Sequence, residues 1–148
     1  LGKVNPPLRT ADDMLALQQA LRQGVIDILV TDHAPHTKSD KQRNFAQAPP
    51  GISGLDTALC VTWLLTQKNI FSFADFLRLW TSAPASIYNL EYNSFQTGDP
   101  ADFLLFDANQ EWEVIPDNLY SKGKNTPLLG QTLKGVVLAH FLKGRQIF

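Results

Sequence analysis

The sequence predicts an α/β fold that passes into a small all-β segment. Three observations carry that expectation. Val25-Ile26-Asp27-Ile28-Leu29-Val30 is rich in β-branched residues and leucine and lacks alternation, which suits a strand of a parallel sheet covered on both faces. Helical patterns flank it on both sides, in the order of a βα repeat. After Tyr88 the helical spacing gives way to short apolar runs separated by Gly, Asn and Pro, the punctuation of short strands.

Each element has a local reason. Thr10-Ala11-Asp12-Asp13 reads as a capping box, and Met14, Leu17 and Leu21 then keep helical spacing until Gly24, so a helix of about three turns leads into a strand over 25–31. Ser53-Gly54-Leu55-Asp56 repeats the capping logic for a helix over 53–67, with Leu55, Leu59 and 62–65 on its buried side. Ser72-Phe73-Ala74-Asp75 opens a third helix that runs to about Trp80, its aromatics Phe71, Phe73, Phe76 and Trp80 reading as core. Ser82-Ala83-Pro84 opens a fourth, since proline suits the first turn. Gly98-Asp99-Pro100 is a turn cluster, and strands are expected over 101–107, 111–115, 133–141 and 145–148. The chain thus divides at about residue 90, with 1–90 as the α/β part and 91–148 as the β part.

Thirteen basic and fourteen acidic residues leave a net charge of −1, which removes the electrostatic case for nucleic acid or an anionic membrane. No run approaches the roughly 18 to 20 apolar residues of a membrane span. The single cysteine, Cys60, lies in the apolar run Ala58-Leu59-Cys60-Val61 and reads as core, in keeping with a cytoplasmic setting. A small molecule or another protein is the expected partner. The chain begins at Leu1 with no capped element before it and is expected to be the interior of a longer protein.

The chemistry concentrates in Thr31-Asp32-His33-Ala34-Pro35-His36, at the mouth of the predicted strand, where α/β folds place ligands. Asp32 suits a metal-coordinating general base, or a cap on the turn. His36, past a stiffening proline, suits a donor to an anionic substrate, or a ring bonded to backbone. His33 should point away from Asp32 and serve the scaffold. Asn5 is presented by Pro6 and Pro7, and Pro49-Pro50-Gly51-Ile52-Ser53-Gly54 is a stiff turn whose backbone can approach a ligand oxygen. Arg9 reads as a surface charge near Asp12 and Asp13, and His140 as filling. Lys122-Gly123-Lys124-Asn125-Thr126-Pro127 only superficially matches a phosphate loop. The loop over 33–50 is expected to be a mobile lid, because Lys38, Ser39, Asp40, Lys41, Gln42, Arg43 and Asn44 offer little to bury.

Lys3-Val4-Asn5-Pro6-Pro7-Leu8-Arg9, Asp32-His33-Ala34-Pro35-His36 and Pro49-Pro50-Gly51-Ile52-Ser53-Gly54-Leu55-Asp56-Thr57 together resemble the dihydroorotase family in order and wording. The form resembled is the bacterial one, which also occurs within multifunctional pyrimidine-synthesis proteins. Gly98-Asp99-Pro100-Ala101-Asp102-Phe103 and Ser121-Lys122-Gly123-Lys124-Asn125-Thr126-Pro127 extend the resemblance to the C-terminal end. It implies the C-terminal part of an amidohydrolase (β/α)8 barrel, its last βα units, followed by a small β-sandwich segment. It also implies interconversion of dihydroorotate and N-carbamoyl-aspartate at a zinc centre. Asp32 then matches the metal-coordinating general base after strand eight, and Asn5, His36, Pro50 and Gly51 match substrate-binding positions.

The family's other metal-binding motifs do not occur in these 148 residues. The resemblance therefore implies zinc ligands outside this chain and an inactive isolated chain. Missing chain, a partner fragment or oligomer contacts would cover the exposed strand, and a homo-oligomer or aspartate carbamoyltransferase is the partner the resemblance implies. Two alternatives are a non-catalytic scaffold subunit of aspartate carbamoyltransferase and an allantoinase or hydantoinase type of cyclic amidohydrolase.

Overall fold

The computed structural model describes residues 2–148. Helices α1 (Ala11–Arg22), α2 (Lys38–Lys41), α3 (Ala58–Gln67), α4 (Phe73–Trp80) and α5 (Ser82–Ile87) precede strands β1 (Phe103–Glu113), β2 (Thr132–Leu142) and β3 (Arg145–Gln146), which form an antiparallel sheet in the order β1-β2-β3. Two helix starts follow from local chemistry. The Thr10 and Asp13 pair closes a reciprocal capping box on α1, and Ser72 with Asp75 does the same on α4, each pair satisfying amide donors that the first turn leaves open.

Other expectations are corrected. Residues 25–31 are extended but join no ladder among the described residues. Leu29 N–H donates to the Leu79 carbonyl, and the one parallel bridge nearby pairs His33 with Ile52. A strand needs a neighbour to satisfy its backbone, and Val25 and Val30 stand 67% and 72% exposed. The predicted helix over 53–67 opens as a 3-10 turn at Leu55–Thr57, without a Ser53 cap. Leu55 and Phe73 are exposed rather than core.

The strands predicted over 101–107 and 111–115 are one strand, β1. Ladder pairing runs from Asp107↔Val136 to Glu111↔Lys134, so residues 108–110 lie opposite Gly135 alone. The Asp107 carboxylate holds this bulge by accepting the N–H groups of Asn109 (2.8 Å) and Gln110 (3.1 Å), an Asx turn within the strand.

One buried cluster joins Cys60, Val114, Leu119 and Leu133; another joins Ile70, Phe71 and Phe76, with Leu29, Trp63 and Trp80 packed against it. The Trp63 ring meets Phe76 and Phe106 edge-on at centroid distances of 5.7 and 6.3 Å, and its Nε1–H donates to the Ala108 carbonyl. Helices and sheet are thereby locked around one aromatic group. Phe106 lies over Gly135, where an added Cβ would come 2.3 Å from the ring. Among the described residues no helix is long and apolar enough to cross a membrane.

Candidate functional site

The extended segment ends at Asp32, which takes φ 41°. Aspartate is one of the few side chains that tolerate this left-handed region, and the turn leaves Asp32 exposed. His33 then faces the other way. Its Nδ1 accepts the N–H groups of Gly54 (3.3 Å) and Leu55 (3.2 Å). A nitrogen that accepts carries no proton, so Nε2 bears it and faces Ser121 Oγ at 3.4 Å. Together with the His33↔Ile52 bridge and the bond from Ala34 N–H to the Ile52 carbonyl (2.9 Å), this aligns the loop after Asp32 with the turn over 49–54.

His36 completes the meeting of the two loops. Its Nε2 lies 3.0 Å from the Pro50 carbonyl, the backbone-bonded alternative of the two considered from sequence. Gly51 has φ 127°, and an added Cβ would lie 2.6 Å from Ala34 Cβ and 3.0 Å from His36 Nε2. Only glycine permits that approach. Its N–H donates to the Lys3 carbonyl (2.9 Å) and its carbonyl accepts from Lys41 and Asn125. Asn5 follows two residues after Lys3 and is exposed, its bond to Pro6 being cis. These contacts unite His36, Pro50 and Gly51 and tie the strand of chain before Asn5 to the same turn. They do not extend to the Asp32 carboxylate.

The loop over 33–50 is more structured than its composition suggests. Thr37 caps α2, and Lys41 is buried, its ammonium donating to the carbonyls of Lys3 (3.3 Å), Pro49 (3.0 Å) and Gly51 (2.9 Å). The lid expectation rested on Lys38 to Asn44 offering little to bury; among them Lys41 departs from it, held by three main-chain carbonyls.

Two residues that bind the site together were not read from sequence as site residues. Asn125, 4% exposed, bonds to both loops, and the buried Ser53 donates its hydroxyl to the Gly123 carbonyl (2.6 Å) and Asn125 Oδ1 (2.9 Å). Ser53 is therefore a cross-link and not a helix cap. The available signal was the Gly-Lys-Asn-Thr-Pro run, a turn too polar to explain as strand. Nearby, the Asp56 carboxylate accepts the N–H groups of Tyr120 (2.7 Å) and Ser121 (3.3 Å). Arg9 pairs with Asp13 on the surface and His140 is exposed in β2.

Among the described residues no three His, Cys, Asp or Glu side chains converge as a metal site. Zinc takes three or four protein ligands, and Asp32 offers one carboxylate. The residues of this chain do not by themselves fit a zinc centre.

Residues 5–147 match the family model described as the amidohydrolase family. The chain belongs to the amidohydrolase family. Among curated proteins it is 40% identical over 146 residues to a dihydroorotase of Syntrophus aciditrophicus, covering 99% of this chain and 34% of that protein. It is also 40% identical over 148 residues to a dihydroorotase of Aquifex aeolicus, covering 99% of this chain and 35% of that protein. The chain thus spans about a third of the length of these relatives. Among solved structures, an L-hydantoinase (dihydropyrimidinase) from Arthrobacter aurescens superposes with a TM-score of 0.88 at 26% identity, over 98% of this chain and 34% of that one. A D-hydantoinase gives 0.86 at 24% identity, over 99% of this chain and 33% of that one, a likeness of fold.

Proposed function

We propose that this chain is the C-terminal portion of a dihydroorotase, an enzyme that reversibly hydrolyses the cyclic amide of dihydroorotate to N-carbamoyl-aspartate in pyrimidine biosynthesis. The observation that carries the reading is the pairing of two loops. The Asp32-x-x-x-His36 loop and the Pro50-Gly51 turn, fourteen positions apart at the His36 to Pro50 contact, lie side by side. That pairing supports reading the two motifs together, and the similarity to the dihydroorotases of Syntrophus and Aquifex supports the same assignment.

In this reading water attacks the ring amide carbonyl carbon and the carbon–nitrogen bond breaks. Asp32 accepts the proton of the water and delivers it to the departing nitrogen. His36 exchanges its bond to the Pro50 carbonyl for one to the substrate carboxylate, Asn5 offers its amide, and the Pro50-Gly51 backbone forms the wall beside them. A zinc requirement belongs to the same reading, with the ligands besides Asp32 lying outside these residues. Residues 25–31 are then a strand of the (β/α)8 barrel, 1–90 the barrel part and 91–148 the β-sandwich part. The exposure of Val25, Val30 and Leu17 supports this, because further chain, a partner fragment or oligomer contacts would cover them; a homo-oligomer or aspartate carbamoyltransferase is the partner this reading proposes. We place the enzyme in the cytoplasm.

The hydantoinase likeness keeps one second reading, a cyclic amidohydrolase for dihydropyrimidines or hydantoins. The complete protein assayed against dihydroorotate, dihydrouracil and hydantoin separates the two. Turnover of dihydroorotate by the complete protein, absent from the isolated 148 residues, is the expected result. Turnover confined to dihydrouracil or hydantoin overturns it, and a complete protein that hydrolyses none of the three favours a scaffold.

A further inference from the structure

We infer that Asn125 is a positioning residue for the substrate-binding loops, its carboxamide setting the spacing between the chain that carries His36 and the turn that carries Pro50 and Gly51. The inference rests on the dihydroorotase reading.

The side chain of Asn125 bonds through both ends of its carboxamide. Oδ1 accepts the main-chain N–H of His36 at 2.8 Å and the Ser53 hydroxyl at 2.9 Å; Nδ2 donates to the carbonyls of Ala34 and Gly51, both at 3.2 Å. A carboxamide offers two acceptor lone pairs and two N–H donors; three are engaged outright, and the fourth shares the single Ser53 hydroxyl proton with the Gly123 carbonyl. The Asn125 carbonyl also accepts the Ser53 N–H at 3.2 Å. One end of each pair belongs to the His36 loop and the other to the turn over 51–53. The carboxamide therefore bridges the two loops at a second point, beside the direct bond from Ala34 N–H to the Ile52 carbonyl.

His36 works between these two loops. The imidazole reaches the Pro50 carbonyl at 3.0 Å, and Asn125 holds the main chain of the first residue and the residue next to the second. Gly123 brings the carboxamide close enough, since a Cβ there would come 2.5 Å from Pro35 Cβ. No other side chain fits the role. Aspartate would set an oxygen against the carbonyls of Ala34 and Gly51, alanine would unpair all the partners, and glutamine would displace the amide by a methylene. Asn125 is 4% exposed, so its influence passes through His36 and not through contact with substrate.

The test is made in the complete protein. Asn125→Ala is expected to raise the KM for dihydroorotate about tenfold while kcat stays within about threefold. In a His36→Ala background the same substitution should change KM less than about twofold, because the ring that it positions is gone. Equal effects in both backgrounds, or an unchanged KM where His36→Ala raises it, overturn the inference. Should Asn125→Ala fail to fold, Ser53→Ala removes one of the side-chain bonds and carries the same double comparison, with an unchanged KM as the negative result. Absence of dihydroorotate turnover in the unsubstituted protein overturns the functional reading alone. The positioning role is then read from the His36 imidazole nitrogen resonances, which Asn125→Ala or Ser53→Ala shifts if the carboxamide sets the ring's contact with Pro50, and leaves unmoved if it does not.

Discussion

The Lys41 ammonium donates to the Gly51 carbonyl at 2.9 Å, and to the carbonyls of Pro49 and Lys3 as well. A buried cation surrounded by main-chain oxygens fastens three stretches of chain at one point: α2, the turn before Ser53 and the segment before Asn5. Charge-assisted bonds of this kind are stronger than neutral ones. Lys41→Met keeps the length of the side chain but leaves the carbonyls without their donor. It should cost about 2 kcal/mol or more in unfolding free energy, read from urea denaturation of the complete protein. Lys41→Arg should not restore it, because a planar fork cannot replace a compact ammonium among three converging oxygens. Wild-type stability in Lys41→Met would show that the carbonyls find other donors.

Asp32→Asn should retain the fold and lose turnover. Asparagine accepts a positive φ as readily as aspartate, so the backbone at 41° is preserved and only the proton-accepting carboxylate is removed. Loss of a general base costs on the order of a hundredfold to ten-thousandfold in rate. Circular dichroism should be unchanged while kcat for dihydroorotate falls by at least about a hundredfold. Activity within a few-fold of the unsubstituted protein removes Asp32 from the chemistry.

His36→Ala should act on binding. If the imidazole donates to the substrate carboxylate, its removal leaves a charged acceptor unpaired and costs on the order of 2 to 3 kcal/mol, expressed mainly in KM. Steady-state kinetics in both directions decides it. An unchanged KM in both directions would assign His36 only its observed contact with the Pro50 carbonyl.

What the sequence disclosed and what it hid divide by the range of the interaction. The capping boxes of Thr10 with Asp13 and Ser72 with Asp75 join residues three apart, so adjacent letters carry the whole interaction. Ser53 has the same helix-capping pattern, yet its hydroxyl bonds to Gly123 and Asn125, 70 and 72 positions away. Lys41 stands in a charge-rich stretch and its partners are carbonyls, which every residue possesses and no letter distinguishes. The segment over 25–31 has a strand's composition, but composition does not supply the neighbour that a ladder requires. In the candidate site the same division holds. Asp32, His36, Pro50 and Gly51 were legible as site motifs, whereas Asn125, quoted only as part of a turn, did not disclose that it joins the His36 loop to Gly51 across 89 positions.

Gly51→Ala tests whether the two loops must touch. The methyl group would meet Ala34 Cβ at 2.6 Å, and φ 127° is unfavourable to any L side chain. The loops must therefore separate, at a cost of about 1 to 3 kcal/mol. A raised KM should accompany the lower stability, since the gap that widens is the one His36 spans. Unchanged stability and KM would mean that the turn relaxes without moving His36.

Cys60 supplies a pH dependence of known sign. It is buried, its Sγ donates to the Gly135 carbonyl at 3.0 Å, and the Trp112 indole N–H points at the sulfur from 3.4 Å. Burial disfavours the thiolate and pushes the thiol above its ordinary value, against the smaller opposing pull of Trp112. A thiol raised in the folded state contributes stability that is fully present below its unfolded value, about 8.5, and is lost as pH rises from there through the folded value. Urea midpoints of the complete protein should therefore fall between about pH 8 and pH 10. Cys60→Ala should flatten that fall while lowering stability at neutral pH, because the Gly135 carbonyl and the Trp112 N–H lose their partner. The folded thiol should also react with a disulfide reagent far more slowly than the urea-unfolded chain, since the reactive species is the thiolate. An alkaline slope as steep in Cys60→Ala as in the unsubstituted protein would assign the loss to other groups.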